Sequence, residues 1–152
     1  MRLLLQRVRF AELSIAGQVH ARIGPGLLAL AGIEVGDRPQ DLTRMAGKMA
    51  RLRIFNDAEG KMNLSVADTG GSCLVVSQFT LLADTAKGNR PGYSRAALPE
   101  EARPLFERFV QECRSLLPDR VRSGVFGADM QITLLNDGPV TLSLDSRKPD
   151  AT

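Results

Sequence analysis

Two stretches near the start of the chain, residues 3–15 and 18–23, have strand-like sequences, and in the second of them apolar and polar positions alternate. In the second stretch, one face carries Val19, Ala21 and Ile23. A period of two is typical of half-buried strands, and Ala16-Gly17 between the stretches supplies a short turn. Residues 2 to 23 are therefore predicted to form a β-hairpin in which His20 points to solvent.

Two other segments repeat apolar residues at helical spacing. The first contains Leu42, Met45, Ala46 and Met49, follows Asp37 and Pro39 as a start signal, and carries Arg44, Lys48 and Arg51 on its other face. The second segment spans residues 105–117, and residues 99–101 would suit its first turn. Pro104 lacks the N–H that would bond the carbonyl of Glu100, so the regular helix is predicted to begin near Pro104 or to kink there.

A short apolar run at 27–33 predicts a strand that is buried on both faces, and the apolar run at 73–76 predicts a further buried strand. Near the end of the chain, residues 130–134 and 140–144 alternate and predict two further strands joined by residues 136–139. Residues 84–97 contain Gly88, Pro91 and Gly92 and predict a long loop.

This order of elements predicts an α+β fold with mainly antiparallel β-sheets packed in layers and two principal helices. With 152 residues, of which 43% are hydrophobic and 24% charged, the chain fits one globular domain that needs neither disulfides nor a structural metal. We expect the domain to span residues 1–146 and residues 147–152 to form a disordered tail.

Composition excludes several kinds of site. One histidine and two cysteines forty residues apart provide no zinc-ligand pattern, so neither metal nor other cofactor is expected. Cys73 and Cys113 fall in apolar patterns and are interpreted as reduced core residues of a cytoplasmic protein, with a reactive thiol as the alternative. No run approaches the ~18 apolar residues of a membrane span. The net charge of +3 is compatible with a phosphate-rich partner.

Two polar segments adjoin predicted strands, Ser77-Gln78-Phe79-Thr80-Leu81 and Asn136-Asp137-Gly138-Pro139-Val140-Thr141. From the residues alone, the hydroxyl groups of the first segment either serve chemistry or bond to nearby backbone. The second segment is equally compatible with a simple tight turn.

Both segments resemble motifs of bacterial D-aminoacyl-tRNA deacylases, formerly called D-tyrosyl-tRNA deacylases. The similarity also includes Leu5-Gln6-Arg7-Val8, Arg53-Ile54-Phe55, residues 57–63, Val75-Val76 and Ala128-Asp129-Met130-Gln131. Two long motifs in the right order, within a match over nearly the whole chain, make chance agreement improbable.

The resemblance implies a hydrolase that cleaves the ester bond of D-aminoacyl-tRNA, and also glycyl-tRNA mischarged on tRNA(Ala), in chiral proofreading. It further implies a cytoplasmic homodimer with active sites at the subunit interface. Each site would combine the catalytic segment Ser77, Gln78, Phe79 and Thr80 with the other subunit's Gly138 and Pro139, joined by a cis bond, to reject L-amino acids. Asn136 would belong to this site, and Arg7 would steady the turn across the interface, whereas its alternative is a solvated strand charge.

The resemblance implies a reaction that depends on backbone and substrate groups more than on side chains. The backbone N–H groups of Phe79 and Thr80 would stabilise the oxyanion, while the 2′-hydroxyl of the terminal adenosine would assist the attack. Phe126 and Met130, which flank Ala128, would contact the adenine or else belong to the core. Phosphates of the acceptor stem would meet basic loop residues such as Lys87, Arg90 or Arg95.

Two other functions remain open from the sequence. One is a serine or threonine esterase for small acyl substrates with Ser77 or Thr80 as nucleophile, which lacks a convincing general base because His20 lies on another segment. The other is a non-catalytic RNA-binding module.

Overall fold

Eight strands, two long helices and one short 3₁₀ helix are formed by residues 1–148, which the computed structural model describes. In chain order, the strands and helices are β1 (Arg2–Ile15), β2 (Gln18–Ile23), β3 (Gly26–Gly32), α1 (Pro39–Arg51), β4 (Phe55–Asn56), β5 (Met62–Leu64), β6 (Ser72–Ser77), the 3₁₀ helix (Phe79–Leu82), α2 (Pro99–Leu116), β7 (Val121–Ser123) and β8 (Gln131–Asp145).

Strand β1 organises the main sheet. One edge of β1 pairs antiparallel with β3 through residues 2–8 and with β2 through residues 11–15, while the other edge pairs antiparallel with β8. Strands β3, β6 and β7 continue the sheet in parallel, and β4 with β5 forms a separate two-stranded sheet. The predicted α+β class is therefore confirmed, although the short strand β7 has too few residues to show a pattern in the sequence.

The predicted N-terminal hairpin is present, and its two turn residues, Ala16 and Gly17, both have positive φ as a two-residue hairpin turn requires. His20 is exposed, as expected. The assignment of Val19 to the buried face is wrong, since its side chain is 55% exposed. The pairing register shifts between Leu13 and Ser14, so the alternation of buried side chains ends before Val19 is reached.

Strand β3 is buried on both faces, as predicted, and so is β6, because the sheet carries a hydrophobic cluster on each side. On one side, α1 and α2 pack over β1, β3 and β6 and enclose the larger cluster. On the other side, the second half of β1 and strand β2 enclose the smaller cluster with β3 and β6.

Helix α2 begins at Pro99 and continues through Pro104, so the expectation of a start near Pro104 is wrong. Pro99 occupies the first turn, where a missing N–H costs nothing. Pro104 leaves the carbonyl of Glu100 without its helical donor, but both residues are exposed. Water can therefore bond the carbonyl, and the buried face of α2 holds the helix in place.

The C-terminal segments do not form the expected pair of strands joined by a turn. Both lie in one long strand, β8, which pairs with β1 along its length. The register is interrupted near Arg7. On β1, only Arg7 lies between Gln6 and Val8. On β8, residues 137–140 lie between their partners, Thr141 and Asn136. The extra residues bulge out of the ladder and bring a turn-like sequence into a continuous strand.

After β8, residues 147 and 148 lie in a turn, where the backbone N–H of Arg147 bonds Asp145. The rest of the predicted disordered tail lies outside the described residues. Within residues 1–148, no helix is long and apolar enough to span a membrane.

Candidate active site

A cavity of about 620 Å³ opens beside the end of β6. Its walls come from four parts of the chain: the end of β3, residues 76–79, the segment from Tyr93 to Arg103, and residues 126–132. The cavity thus brings the predicted catalytic segment and the predicted adenine-binding residues together.

The catalytic segment leaves the sheet abruptly. Strand β6 ends at Ser77, and the N–H of Gln78 still bonds the carbonyl of Ala31 on β3 at 2.8 Å. Phe79 and Thr80 then begin the 3₁₀ helix, so their own N–H groups have no acceptor within that helix. These are the two donors that the sequence predicts for an oxyanion.

Side chains of this segment are largely exposed. The Gln78 amide donates a hydrogen bond to the Thr80 hydroxyl. Phe79 is 56% exposed and meets Tyr93 edge to face, with ring centroids 4.9 Å apart. An exposed aromatic pair at the mouth of a cavity offers a surface for a ligand with a flat or apolar group.

Gly32 at the end of β3 permits the sharp exit from β6. A Cβ at position 32 would lie 2.9 Å from the carbonyl oxygen of Gln78, which is closer than side chains tolerate. The absence of a side chain therefore fixes the approach of the two backbones where the candidate oxyanion donors begin.

The adenine candidates Phe126 and Met130 both line the cavity and also pack against hydrophobic clusters. Phe126 lies 5.9 Å from Phe106 between ring centroids, and the guanidinium of Arg103 lies 5.0 Å from the centre of the Phe126 ring. The two roles considered from the sequence, core and cavity wall, are thus combined in the same side chains.

Residues 136–139 form a projection that hydrogen bonds hold in place. The Asn136 side chain accepts a hydrogen bond from the N–H of Val140 at 2.9 Å and donates one to the Thr141 hydroxyl at 2.9 Å. The Gly138–Pro139 bond is cis, Gly138 has a φ of +132°, and both residues are exposed.

The side chain of Arg7 is hydrogen-bonded to this projection. Its guanidinium donates to the carbonyl of Asp137 at 3.0 Å and to the carbonyl of Ile54 at 2.6 Å. The residue is only 7% exposed, so the alternative of a solvated strand charge is wrong. The observed contacts lie within one chain and tie the projection to the segment that precedes β4.

The projection does not line the 620 Å³ cavity of its own chain. Arg7 and Asp137 instead border a separate hollow of about 260 Å³ with Pro25 and Phe55. The two predicted halves of the site are therefore not brought together within one chain.

The chain's single histidine is distant from the catalytic segment. His20 borders a different groove with Pro118 and Arg122, and it does not line the cavity. A Ser-His pair for Ser77 or Thr80 is therefore not formed within the chain. In residues 1–148, no group of three potential metal ligands occurs.

Both thiols are inert in this setting. Cys73 and Cys113 are fully buried and unpaired, and burial raises the pKa of Cys73 to about 12 and that of Cys113 still higher. A thiol that remains protonated is a poor nucleophile, so the alternative of a reactive cysteine is not supported.

The three basic loop residues differ in their surroundings. Lys87 and Arg90 are exposed. Arg95 is engaged with the buried carboxylate of Glu34, at 2.6 Å and 2.9 Å from Oε1. This pair fastens the loop that carries Tyr93 to the end of β3. Tyr93, Arg103 and Glu34 were not predicted as site residues, since none lies in a recognisable motif, although Tyr93 is the only tyrosine in the chain.

Known proteins are similar to this chain over nearly its whole length. The family model for D-Tyr-tRNA(Tyr) deacylase matches residues 4–145. A D-aminoacyl-tRNA deacylase of Akkermansia muciniphila is 60% identical over 148 residues, covering 97% of this chain and 99% of the relative. The protein of the same name from Dechloromonas aromatica is 55% identical over 150 residues, covering 99% and 100%.

Solved structures show the same fold. A c-Myc DNA unwinding element binding protein superposes with a TM-score of 0.92 at 37% identity, covering 99% of this chain and 100% of that one. A structure described as a probable eukaryotic D-amino acid tRNA deacylase superposes with a TM-score of 0.80 at 18% identity, covering 94% and 97%. The chain therefore belongs to the D-Tyr-tRNA(Tyr) deacylase family and is a hydrolase, a D-aminoacyl-tRNA deacylase.

Proposed function

We propose that this deacylase acts in chiral proofreading as a homodimer that removes D-amino acids, and glycine mischarged on tRNA(Ala), by hydrolysing their ester bond to tRNA. The observation that carries the proposal is the cavity that Phe79, the first of the two candidate oxyanion donors, lines together with residues 126–130. An ester at the donors and an adenine at Phe126 would occupy the two ends of one cavity. The substrate places such an enzyme in the cytoplasm, where charged tRNA is used.

The homodimer is supported by the separation of the two halves of the site. Gly138 and Pro139 project from their own chain without reaching its cavity, so a second chain has to supply them. Strand β8 pairs only with β1 among the described strands, which leaves its other edge open. Phe10 and Leu135, neighbours across β1 and β8, are 41% and 49% exposed and offer apolar surface beside that edge.

Hydrolysis in this site depends on positioning. The N–H groups of Phe79 and Thr80 stabilise the oxyanion that forms when water attacks the ester carbonyl. His20 lies in another groove and is not placed to take the proton of that water, which ends on the 3′-oxygen of the leaving tRNA. The 2′-hydroxyl of the terminal adenosine lies next to the ester on the substrate itself and assists the attack.

Selection against L-amino acids follows from the bracing of the projection. D- and L-aminoacyl groups differ only in the exchange of hydrogen and side chain at the α-carbon. Carbonyl groups of Gly138 and Pro139, held in place through Arg7 and Asn136, exclude the L side chain by steric and polar conflict. Glycine has no side chain to exclude, so glycyl-tRNA is admitted.

A panel of charged tRNAs tests the proposal. Release of amino acid from D-aminoacyl-tRNA and glycyl-tRNA, but not from L-aminoacyl-tRNA or simple esters, is the expected result. Comparable cleavage of simple esters would instead identify an esterase of small substrates. Binding of every tRNA without turnover would identify a non-catalytic RNA-binding module.

A further inference from the structure

Three depressions adjoin one another along α2, and the first of them is the cavity beside β6. The cavity shares Arg103 and Phe126 with a neighbouring hollow of about 280 Å³ between α2 and residues 123–126. That hollow shares Arg114 and Ser123 with a third depression of about 570 Å³ at the C-terminal end of α2. We call these three adjoining depressions together the α2 groove.

The α2 groove has a cationic group at each end. Arg103 lies at the cavity end, and Arg114 with Arg122 lies at the far end; all three side chains are exposed. Arg122 donates a hydrogen bond to the carbonyl of Asp119, and no carboxylate within residues 1–148 forms an ion pair with it. Glu107, Asp119 and Asp129 also border the groove, so its arginines and its acidic groups are equal in number at three each. At the far end, however, the two arginines Arg114 and Arg122 accompany a single carboxylate, Asp119.

Phe126 lies at the end of the groove where the terminal adenosine would bind. Phe126 belongs to the wall shared by the cavity and the groove, and Arg103 stacks on its ring. A terminal adenosine held at this ring is joined to the rest of its strand through its 5′-phosphate. From this phosphate, the nucleic-acid strand can leave on the groove side of Phe126 without crossing the cavity again.

The dimensions suit a single strand of nucleic acid. Arg103 and Arg114 are eleven residues apart on a helix, which corresponds to roughly 16 Å along its axis. Stacked nucleotides rise by about 3.4 Å each, so the groove has room for more than one nucleotide beyond the terminal one. Arginine suits this use, since its guanidinium binds phosphate through paired donors.

We propose that the α2 groove binds the single-stranded 3′ end of the tRNA acceptor arm and that Arg114 and Arg122 contact its phosphates. This inference rests on the proposed function, because it places the terminal adenosine at Phe126. It differs from the sequence-based expectation that Lys87, Arg90 and Arg95 meet the phosphates. Those residues lie in the loop 84–97 on the Tyr93 side of the cavity, and Arg95 is already paired with Glu34.

The test measures binding of uncharged tRNA as a function of salt concentration. The double variant Arg114→Gln/Arg122→Gln is expected to weaken binding on the order of tenfold or more, because charged hydrogen bonds are lost. It is also expected to reduce the slope of log affinity against log salt by roughly 1.4, since each single-strand phosphate contact contributes about 0.7. Arg114→Lys/Arg122→Lys retains the charges and should restore most of the slope.

Two controls make the result specific. Arg108→Gln changes the charge of α2 by the same amount per residue but lies outside the groove, paired with Glu112, and should leave affinity and slope unchanged. Lys87→Gln/Arg90→Gln tests the loop on the other side of the cavity. If that variant lowers the slope while Arg114→Gln/Arg122→Gln does not, the strand leaves over the loop and the proposal is overturned.

Activity separates this inference from the proposed function. The groove variant is expected to lower kcat/KM for D-aminoacyl-tRNA about as much as it lowers tRNA affinity, with little change in kcat at saturation. Loss of preference for D over L in the unaltered protein would contradict the proposed function and leave the salt measurement interpretable. An unaltered tRNA affinity in the folded groove variant would contradict the inference alone.

Discussion

Two arginines on β1 contact the same residue with very different energetic consequences. Arg7 is buried and donates to the backbone carbonyls of Asp137 and Ile54, whereas the Arg9 side chain is 70% exposed and meets the Asp137 carboxylate at 3.0 Å. A buried guanidinium cannot exchange its partners for water, but an exposed one can. Burial, and not the presence of an ion pair, therefore decides which arginine holds the Gly138–Pro139 projection.

Arg7→Gln is expected to lower the free energy of unfolding by about 2–4 kcal/mol, because buried acceptors lose a charged donor. It should also reduce deacylation more than tRNA binding. The matched change Arg9→Gln should cost less than about 1 kcal/mol. Urea unfolding of both variants measures the difference; equal effects of the two substitutions would show that Arg7 does not anchor the projection.

Thr80→Ala is expected to keep kcat within about tenfold of the unaltered enzyme, since a substrate hydroxyl and backbone donors carry the chemistry. Ser77→Ala serves as the control for the other hydroxyl and should behave alike. Single-turnover hydrolysis of D-aminoacyl-tRNA is the measurement. A fall of several orders of magnitude in Thr80→Ala, with normal tRNA binding, would identify Thr80 as a nucleophile.

For single residues, the sequence indicates which segments to consider but not which side chains contact each other. The motif around Ser77 to Thr80 predicts a catalytic segment, and Ser77, Gln78 and Phe79 of that segment line a cavity. The ion pair of Arg95 with Glu34 could not be predicted, because 61 residues separate the partners and no periodic pattern relates a loop to a distant strand end.

Elements were predicted correctly where one pattern governed a whole segment. The hairpin of β1 and β2, the two-sided burial of β3 and the helical face of α1 all followed from periodicity. The prediction was wrong for β8, because Asn136 to Pro139 has the composition of a turn. Only the pairing of both halves of β8 with β1, a contact across the fold, shows that the segment is a bulge.

The junction of β3 with the catalytic segment yields a test at the level of elements. Gly32→Ala would place a Cβ 2.9 Å from the Gln78 carbonyl, so the backbone at Phe79 and Thr80 must shift. We expect kcat to fall on the order of a hundredfold, the effect of losing one oxyanion donor. The control Gly24→Ala has no heavy atom within 4 Å of the new Cβ and should keep full activity.

Circular dichroism would show whether Gly32→Ala keeps its secondary structure. A folded Gly32→Ala variant with unchanged kcat would mean that the donors do not depend on this close approach. Substantial loss of activity in Gly24→Ala would likewise show that the effect is not specific to the junction.

Helix α2 offers a test of element stability away from the chemistry. Pro104→Ala restores the N–H that can bond the Glu100 carbonyl, and a proline inside a helix costs about 3 kcal/mol relative to alanine. Greater flexibility of the unfolded chain offsets part of this gain, so stabilisation of roughly 1–2 kcal/mol is expected.

Pro99→Ala is the matched control, because Pro99 lies in the first turn and blocks no helical hydrogen bond. Thermal unfolding of both variants gives the comparison. A Tm for Pro104→Ala at or below that of the unaltered protein would show that α2 has already adapted to the proline.

In the whole molecule, the two parts of the proposed active site lie in different places. Within one chain, the cavity beside β6 lies apart from the projection at Gly138 and Pro139. The sequence motifs predict that both segments belong to one site, but no pattern in the sequence shows that they lie apart in the chain. If the site forms between subunits, light scattering should detect a dimer at the concentrations where the enzyme is active, and a fully active monomer would contradict the arrangement.

Hybrid dimers provide the sharper test of shared sites. Ala128→Trp fills the cavity, and Gly138→Ala puts a Cβ 2.8 Å from Val140 and 2.9 Å from Arg7 at a φ of +132°, which displaces the projection. Each variant alone should be nearly inactive because both of its sites carry the lesion. Random mixing after unfolding and refolding makes about half of the dimers hybrids, each with one site free of both changes, so about a quarter of the activity should return.

The recovery separates the two arrangements because a site built within one chain predicts a different result. In that case every chain in the mixture still carries its own lesion, and mixing restores nothing. The control is a mixture of Ala128→Trp with Met130→Trp, two lesions in the same cavity, which cannot combine into an intact site in either arrangement. Recovery in the first mixture but not in the control would locate Gly138 in the site of the opposite subunit, whereas equal inactivity of both mixtures of folded dimers would place the complete site within one chain.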